Sequence, residues 1–333
     1  MPSATRTYDI GVVGAGKIAS SAHLPVLVNT DRANVQYVAD IDKTQVKALS
    51  RSYGIDAVVT DDPADLPECD VALLATPVGV REGYIEEFGH RNTPVLSEKP
   101  FAPDLATHEA FVDAVGAISC NYLRLCFGST RQLREVVQAG VFGPVERVAV
   151  SEGGVVGATG RSQDDYQTDP SLSGGGVLVE RGSHMVSQLC SVLGTDEITV
   201  ENATMTTDEG YDVDVTADLE AQTDDGRVPV SFDLTRIRPV PNEFRVEFAN
   251  ATVHFTIDTP GADLVVSRDG REVCTIEPDD RWATTFAHSA YLRWRQFFSK
   301  LGPDDEYPEE MATGPEVTRL IETLYDKAEV REL

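Results

Sequence analysis

Short apolar runs alternate with longer amphipathic segments over the N-terminal third of the chain. Residues 71–75 form an uninterrupted apolar run, which is typical of a parallel strand that is covered on both faces. The pattern predicts strands over residues 8–13, 34–39, 57–59, 71–75, 94–96 and 117–120. It places helices between them over residues 20–28, 43–53, 81–88 and 105–115. This alternation of strands and helices predicts a doubly wound parallel sheet in a first domain, over residues 1–122.

The second half of the chain follows a period of two. Val253 and Phe255 alternate with His254 and Thr256, which indicates a sheet with one face toward water. Segments of this kind cover residues 198–206, 213–221, 228–235, 244–248 and 252–257, and residues 224–226 (Asp-Asp-Gly) form a hairpin signal. We therefore predict a second, α+β domain with a mainly antiparallel sheet over residues 123–333. The final helix, predicted over residues 314–329, packs either within this domain or back on the first.

A glycine motif follows the first predicted strand. Residues 14–19 read Gly-Ala-Gly-Lys-Ile-Ala, and a helix-compatible segment comes next. Gly14 permits a tight turn, Gly16 lets the backbone approach a pyrophosphate, and Ala19 keeps the helix close to the strand. The helix N-terminus offers unpaired N–H groups to the anion. In this strand–turn–helix context the motif predicts a Rossmann dinucleotide-binding domain.

An acidic residue, Asp40, ends the second predicted strand. A carboxylate there accepts hydrogen bonds from an adenosine ribose and repels a 2′-phosphate, so it favours NAD over NADP. Asp42 is a competing candidate for the same role, and the nearby Lys43 leaves NADP open. In the alternative interpretation, Asp40 only caps the helix that follows.

The charge balance excludes some partners. The chain holds 55 acidic and 28 basic residues, a formal net charge of −27. Such a field repels nucleic acid and anionic membranes, so we expect neither as a partner. Acid-rich, lysine-poor surfaces resemble those of cytoplasmic proteins from extreme halophiles, and halophily is our hypothesis. The sequence shows no signal-peptide pattern, no membrane-spanning run and five scattered cysteines, so we expect a cytoplasmic protein with buried thiols.

Several further motifs occur in a recognisable order. They are residues 14–19, His23-Leu24-Pro25, Asp40, Ala75-Thr76-Pro77 and Glu98-Lys99-Pro100, then residues 138–145 and the glycine-rich residues 169–178. In this order and spacing they resemble the Gfo/Idh/MocA oxidoreductases, a family that includes glucose–fructose oxidoreductase and inositol dehydrogenase. The resemblance covers nearly the whole chain.

The resemblance implies a cofactor site, a fold and an assembly. The implied cofactor-binding residues are Gly14, Gly16, Ile18, Ala19, Asp40, Thr76, Pro77, Glu98 and Lys99. The family's second domain is an open antiparallel sheet whose back face often packs against another subunit. A homodimer or homotetramer formed through that sheet is therefore implied.

Three residues are candidates for catalysis. Lys99 follows a parallel strand at the nucleotide end of the sheet, and in the family the matching lysine touches nicotinamide and substrate; alternatively it is a solvated surface lysine. Glu180 and His184 lie four positions apart, so on a helix they share a face, and a carboxylate can fix the tautomer of a histidine base. The spacing matches the family's Asp-x-x-x-His with Glu in place of Asp. A buried histidine satisfied by a glutamate has the same spacing.

Other polar residues carry weaker signals. Arg81 stands where the family often has His, and either contacts cofactor or an acidic ligand or caps a helix. Asn121 and Arg124 fall near the family's Asn/Arg pair, and His23 is interpreted as a packing residue. Arg161, Tyr166, Arg236 and Arg238 are candidate pocket donors without a motif. The histidines show no metal-ligand spacing, so we expect no metal site.

Together these features predict an NAD-dependent oxidoreductase, with NADP as the second choice of cofactor. It would move hydride between nicotinamide and a carbinol carbon of a sugar, cyclitol or related polyol. The alternatives are a family member that holds its cofactor tightly and does other chemistry, and a non-catalytic NAD-sensing protein.

Overall fold

The computed structural model describes residues 6–155, 169–279, 281–301 and 313–333. The chain forms two compact units. The first comprises Met1–Asn121 and Phe286–Thr313, and the second comprises Tyr122–Thr285 and Gly314–Leu333.

The first unit is built on a six-stranded parallel sheet. Its strands are β1 (Tyr8–Val13), β2 (Ala33–Asp40), β3 (Asp56–Val59), β4 (Val71–Leu74), β5 (Val95–Ser97) and β6 (Ile118–Cys120). Their order is β3-β2-β1-β4-β5-β6, and every pair is parallel. All four residues of β4 are buried, as the apolar run predicts. The predicted doubly wound sheet is confirmed.

Helices connect these strands in the order that the pattern predicts. They are α1 (Leu24–Leu27), α2 (Lys43–Tyr53), α3 (Arg81–His90) and α4 (Leu105–Ala114). The first helix differs from the prediction, because a π-helical turn over Ala19–His23 precedes α1. Pro25 lies in the first turn of α1 and has no N–H to donate to the preceding turn, which makes a regular helix through this point unfavourable.

The first unit also contains a helix from the C-terminal half of the chain, α8 (Phe286–Lys300). The final helix was expected either within the second domain or back on the first, but the helix that belongs to the first unit is the one before it. Phe298 stacks on Tyr8 of β1 with ring centroids 5.4 Å apart, and Trp294 is 1% exposed. Aromatic burial therefore holds α8 to the start of the sheet.

The second unit carries a nine-stranded mixed sheet. Its strands are β7 (Val145–Gly153), β8 (Ile198–Asp208), β9 (Tyr211–Thr223), β10 (Gly226–Thr235), β11 (Glu243–Phe248), β12 (Thr252–Thr256), β13 (Leu264–Arg268), β14 (Arg271–Ile276) and β15 (Glu329–Glu332). The order is β14-β13-β12-β11-β7-β10-β9-β8-β15. Only β7–β10 and β8–β15 pair in parallel, so the prediction of a mainly antiparallel sheet is confirmed.

Helices complete the second unit. They are α5 (Gly128–Gln138), α6 (Pro170–Ser173), α7 (Ser183–Leu193) and α9 (Pro315–Lys327), with a π-helical turn over Leu178–Gly182 directly before α7. The hairpin predicted at residues 224–226 joins β9 to β10, and Gly226 has φ +123° there. Strands β7, β13, β14 and β15 were not predicted.

Two further observations concern the described part of the chain. None of its helices is long and apolar enough to cross a membrane. All five cysteines are free; Cys120, Cys126 and Cys190 are buried, Cys69 is half-buried and Cys274 is exposed. The expectation of buried thiols is wrong for Cys274, because every residue of β14 up to that position is exposed.

Candidate functional site

The first unit has a topological switch point between β1 and β4. From β1 the chain order runs outward to β2 and β3 on one side, and from β4 to β5 and β6 on the other. In sheets of this kind ligands bind in the crevice outside the carboxyl ends of the two central strands. The glycine loop follows β1 and the Thr76-Pro77 loop follows β4, so both predicted cofactor loops lie at that crevice.

Glycine is needed at positions 14 and 16 of the loop for different structural reasons. Gly14 has φ +104°, and a Cβ there would lie 2.5 Å from the carbonyl oxygen of Ala75. No described atom lies within 4 Å of the corresponding Cβ position at Gly16. Gly14 is therefore required by the fold, whereas the space at Gly16 is open for a ligand. This cradle fits the pyrophosphate of a dinucleotide.

Asp40 is fixed against the glycine loop. Its Oδ2 accepts a hydrogen bond from the backbone N–H of Ala15 at 2.7 Å, and its Oδ1 accepts one from Asp42 at 2.9 Å. The interpretation of Asp40 as the cap of α2 is wrong, because the Asp42 carboxylate accepts from the N–H groups of Thr44 and Gln45. Asp42, the competing candidate, is therefore the N-cap of α2. Asp40 remains as the carboxylate beside the glycine cradle.

One buried arginine joins the loops that follow β4 and β5. Arg81 is 2% exposed; its Nη2 donates to the carbonyl of Thr76 at 2.7 Å, and its Nη1 donates to those of Glu98, at 2.5 Å, and Pro100. Arg81 was expected either to contact cofactor or an acidic ligand or to cap a helix. The structure gives it a third role, which is to hold two neighbouring loops at fixed separation through their backbone.

Glu98 is the buried charge of this region. Its Oε1 accepts from His23 Nε2 at 2.8 Å and from Asn121 Nδ2 at 2.6 Å, and its Oε2 accepts from the N–H of Lys99 at 3.1 Å. Burial alone would raise the pKa of Glu98, but the hydrogen bonds from His23 and Asn121 and the charge of Lys99 hold the pKa below the usual range. The interpretation of His23 as a packing residue is incomplete, since it is buried and hydrogen-bonded.

In the second unit a buried aspartate shapes the approach to α7. Asp212 accepts from the N–H groups of Gly176 at 2.6 Å and Leu178 at 2.8 Å, and from the hydroxyl of Tyr325 at 2.7 Å. Burial raises the pKa of Asp212, and these hydrogen bonds oppose that rise. Asp212 was not predicted. The available signal was an acid next to the inward-facing valines that start β9.

Glu180 and His184 lie on different helical segments. Glu180 lies in the π-helical turn, and His184 lies in the first turn of α7. The Glu180 carboxylate forms an ion pair with the guanidinium of Arg236, whose side chain is 10% exposed. Arg236 was predicted only as a candidate pocket donor without a motif. The expected contact of Glu180 with His184 stays a prediction.

A buried charge cluster lies beside the same segment. Arg124 donates to both carboxylate oxygens of Glu152, at 2.6 and 2.9 Å, and Arg181 donates to Oε1 at 2.5 Å. Burial would raise the pKa of Glu152, but the arginines reverse this and lower it. Glu152 was not predicted, although it shares the inward face of β7 with Val148 and Val150.

The remaining candidates divide into two groups. Arg238 pairs with Asp214, at 2.8 Å, and with Asp233. Arg161 and Tyr166 lie outside the described residues. Within the described ranges no three His, Cys, Asp or Glu side chains are grouped so that they could hold a metal ion.

Two sequence profiles match consecutive parts of the chain. One describes an oxidoreductase family with an NAD-binding Rossmann fold (GFO_IDH_MocA) and matches residues 8–122. The other describes the GFO/IDH/MocA C-terminal domain and matches residues 130–254.

Known proteins are similar to the chain over nearly its whole length. D-xylose 1-dehydrogenase (NADP(+)) 2 of Haloferax volcanii is 25% identical over 96% of this chain and 97% of its own. The 3-ketoreductase KijD10 of Actinomadura kijaniata, solved with NADP and TDP-benzene, has a TM-score of 0.80 at 18% identity and covers 98% of this chain and 100% of its own. A levoglucosan dehydrogenase solved with NADH has a TM-score of 0.81 at 16% identity, over 97% of each chain. At these identities the two structures bear on the fold alone.

The cradle generates a prediction for two matched substitutions. Gly16→Ala leaves the melting temperature nearly unchanged, because its Cβ enters open space, but weakens dinucleotide binding about tenfold or more. Gly14→Ala lowers the melting temperature, because its φ and the carbonyl of Ala75 both oppose a side chain. Calorimetry and cofactor titration check both. A Gly16→Ala variant that binds dinucleotide normally would contradict the assignment of the cradle.

The Glu152 cluster generates a prediction about stability and pH. Glu152→Gln lowers the free energy of unfolding by about 3 kcal/mol at neutral pH, because it leaves Arg124 buried without its carboxylate. The folded-state pKa of Glu152 lies below the usual 4.5, so this stabilisation is complete above that value. It is lost as the pH falls through the folded-state pKa.

Urea denaturation from neutral pH to about pH 3 measures this difference. The matched control is Glu87→Gln, since Glu87 forms a partly exposed ion pair with Arg91 on one helix turn. That pair contributes below about 1 kcal/mol. Equal losses in the two variants, or a loss at Glu152 that does not vary with pH, would contradict the prediction.

Proposed function

Because the chain belongs to the Gfo/Idh/MocA oxidoreductase family, we propose that it transfers hydride between a nicotinamide cofactor and a carbinol carbon of a sugar, cyclitol or related polyol. The observation that carries the proposal is the placement of Lys99. It is half-buried at the carboxyl end of β5, in the same parallel sheet that bears the glycine cradle. Arg81 holds the loop of Lys99 through the carbonyls of Glu98 and Pro100. An ammonium group fixed at that edge can stabilise a substrate oxygen that develops negative charge.

The cofactor is held by the first unit. Gly14, Gly16, Ile18 and Ala19 form the pyrophosphate side, Asp40 accepts from the adenosine ribose, and the loops at Thr76-Pro77 and Glu98-Lys99 border the nicotinamide side. NAD is preferred, since the charge of Asp40 disfavours a 2′-phosphate and Asp42 adds a second carboxylate two positions on. Lys43 on the same turn leaves NADP as the second choice, and the Haloferax volcanii relative is named for NADP.

The chain's own residues handle the proton. When bound, the nicotinamide supplies or accepts the hydride. Lys99 donates a hydrogen bond to the reacting oxygen of the substrate and stabilises its charge. His184 takes the hydroxyl proton as general base, and Glu180, itself anchored by Arg236, orients the imidazole.

The substrate class follows from the relatives. The curated relatives include a D-xylose dehydrogenase, an inositol 2-dehydrogenase and a D-glucoside 3-dehydrogenase. All three names describe oxidation of a hydroxyl on a sugar or a cyclitol. A compound of that class is therefore the substrate.

The proposal extends to the oligomeric state, the cellular compartment and salt adaptation. The protein is a homodimer or homotetramer through the sheet of the second unit, whose polar face includes the Thr204–Thr216 hydrogen bond of 2.7 Å. Five free cysteines support a cytoplasmic setting. The formal charge of −27 and the Haloferax volcanii relative support adaptation to high salt.

Reduced-nicotinamide absorbance in molar KCl tests the activity. NAD⁺ and NADP⁺ are each assayed against aldoses, cyclitols and sugar acids. We expect turnover with at least one compound, faster with NAD⁺, and a loss of roughly 100-fold or more in Lys99→Met, with dinucleotide affinity nearly unchanged. Lys47→Met, at an exposed position of α2, is the matched control and keeps full turnover.

Two other outcomes would contradict parts of this proposal. Turnover retained in Lys99→Met removes Lys99 from the proposed role. If no panel compound is turned over while the cofactor still binds, the result favours a tightly held cofactor with other chemistry, or an NAD-sensing protein.

Salt dependence of stability is a separate prediction. The melting temperature rises by several degrees between millimolar and molar KCl, because salt screens the repulsion within a chain of formal charge −27. Differential scanning calorimetry measures it, with sucrose of equal osmolality as the control for solute exclusion. An unchanged melting temperature rejects halophily.

A further inference from the structure

A tryptophan from α8 fixes the tautomer of His23. The indole Nε1 of Trp294 lies 2.9 Å from Nδ1 of His23, and both side chains are about 1% exposed. An indole N–H can only donate, so Nδ1 must accept with its lone pair. The proton of the neutral ring therefore resides on Nε2. Protonating Nδ1 would place two N–H groups against each other in a buried site.

The fixed tautomer aims the ring at Glu98. Nε2–H donates to Oε1 at 2.8 Å, the amide of Asn121 donates to the same oxygen at 2.6 Å, and Oε2 accepts from the backbone N–H of Lys99 at 3.1 Å. The chain of bonds has one possible direction, because it begins at a group that only donates and ends on a carboxylate that only accepts. It runs from indole to imidazole to carboxylate, and the carboxylate holds the main chain of Lys99.

Two arginines bind the loop of Lys99 and the end of the neighbouring strand β6. Arg81 donates to the carbonyls of Glu98 and Pro100, on either side of Lys99. Arg293, next to Trp294 on α8, donates to Ser119 Oγ and to the carbonyl of Cys120, both at 2.5 Å. The carboxylate of Glu98 itself accepts hydrogen bonds from His23, Asn121 and the Lys99 amide.

We propose that Trp294 and His23 are positioning residues for Lys99, acting through the carboxylate of Glu98. The kinetic part of this proposal rests on the proposed function, whereas the structural part does not. A carboxylate that loses a buried donor moves or takes up a proton, and either change releases the Lys99 amide. A displacement of about 1 Å at a catalytic group reduces turnover on the order of 100-fold.

Four variants separate positioning from packing. Trp294→Phe keeps an aromatic ring but removes the indole N–H. His23→Leu removes the donor to Glu98, and His23→Gln supplies an amide N–H in the place of Nε2. Phe297→Leu is the matched control, because Phe297 packs edge-on against Trp294 at 6.0 Å and has no bond to the chain described above.

Two measurements need no substrate. In ¹⁵N NMR of histidine, wild-type His23 shows a protonated Nε2 and an unprotonated Nδ1, and Trp294→Phe loses this fixed pattern. In hydrogen exchange read by mass spectrometry, the Lys99 amide exchanges faster in Trp294→Phe and His23→Leu than in wild type. Phe297→Leu matches wild type, and His23→Gln lies between.

The kinetic arm uses a substrate identified in the panel assay. Trp294→Phe and His23→Leu lower kcat roughly 10- to 100-fold with little change in KM or cofactor affinity, and His23→Gln recovers part of the loss. Phe297→Leu keeps kcat within about twofold.

Three results overturn the proposal. They are a proton on Nδ1 of wild-type His23, Lys99 amide exchange that is the same in all variants, and a kcat loss as large in the control as in His23→Leu. If the panel yields no substrate, the proposed function fails, while NMR and hydrogen exchange still decide whether the chain of bonds holds Lys99. If a variant does not fold, the tautomer of the wild-type protein still decides the first step.

Discussion

Glu98 carries a negative charge that the fold has removed from water, and the carboxyl edge of the first unit is arranged around that constraint. An isolated carboxylate is not stable in such a site, so donors must reach both of its oxygens. They come from three parts of the chain: His23 in the π-helical turn, Asn121 after β6, and the backbone of Lys99. The loop after β5 is therefore held by neighbours that are distant along the chain.

The architecture of the first unit was accessible from sequence because its information is local. Each strand corresponds to one apolar run, and each of α2, α3 and α4 to one amphipathic segment, so their order follows directly. Helix α8, which comes from the C-terminal half of the chain, was not predicted. The glycine loop and Asp40 were also predictable, since a turn, a close approach and a carboxylate occur at fixed spacings. What the sequence could not report is which side chains meet. Trp294 and His23 are 271 positions apart, and no spacing rule covers such a pair.

The candidate site was only partly predictable for a second reason, which is helix geometry. Spacing arguments assume 3.6 residues per turn, yet π-helical turns occur at Ala19–His23 and Leu178–Gly182. After the first turn, Pro25 has no N–H group to donate. At the start of the second turn, the N–H of Leu178 donates to Asp212. The sequence therefore located Glu180 and His184 by motif, while the ion pair of Glu180 with Arg236 came from the structure.

The interior and the surface of this acidic chain obey different electrostatic rules. Exposed acids repel one another through water, and that repulsion falls as salt shortens the Debye length. Glu98 and Glu152 are instead 6% and 0% exposed, and their partners belong to the same chain, so screening reaches them little. Salt can thus change how stable each unit is without altering the hydrogen bonds that shape the loop of Lys99 or the cluster beside α7. A protein built this way keeps the geometry of its chemistry while its surface responds to the solvent.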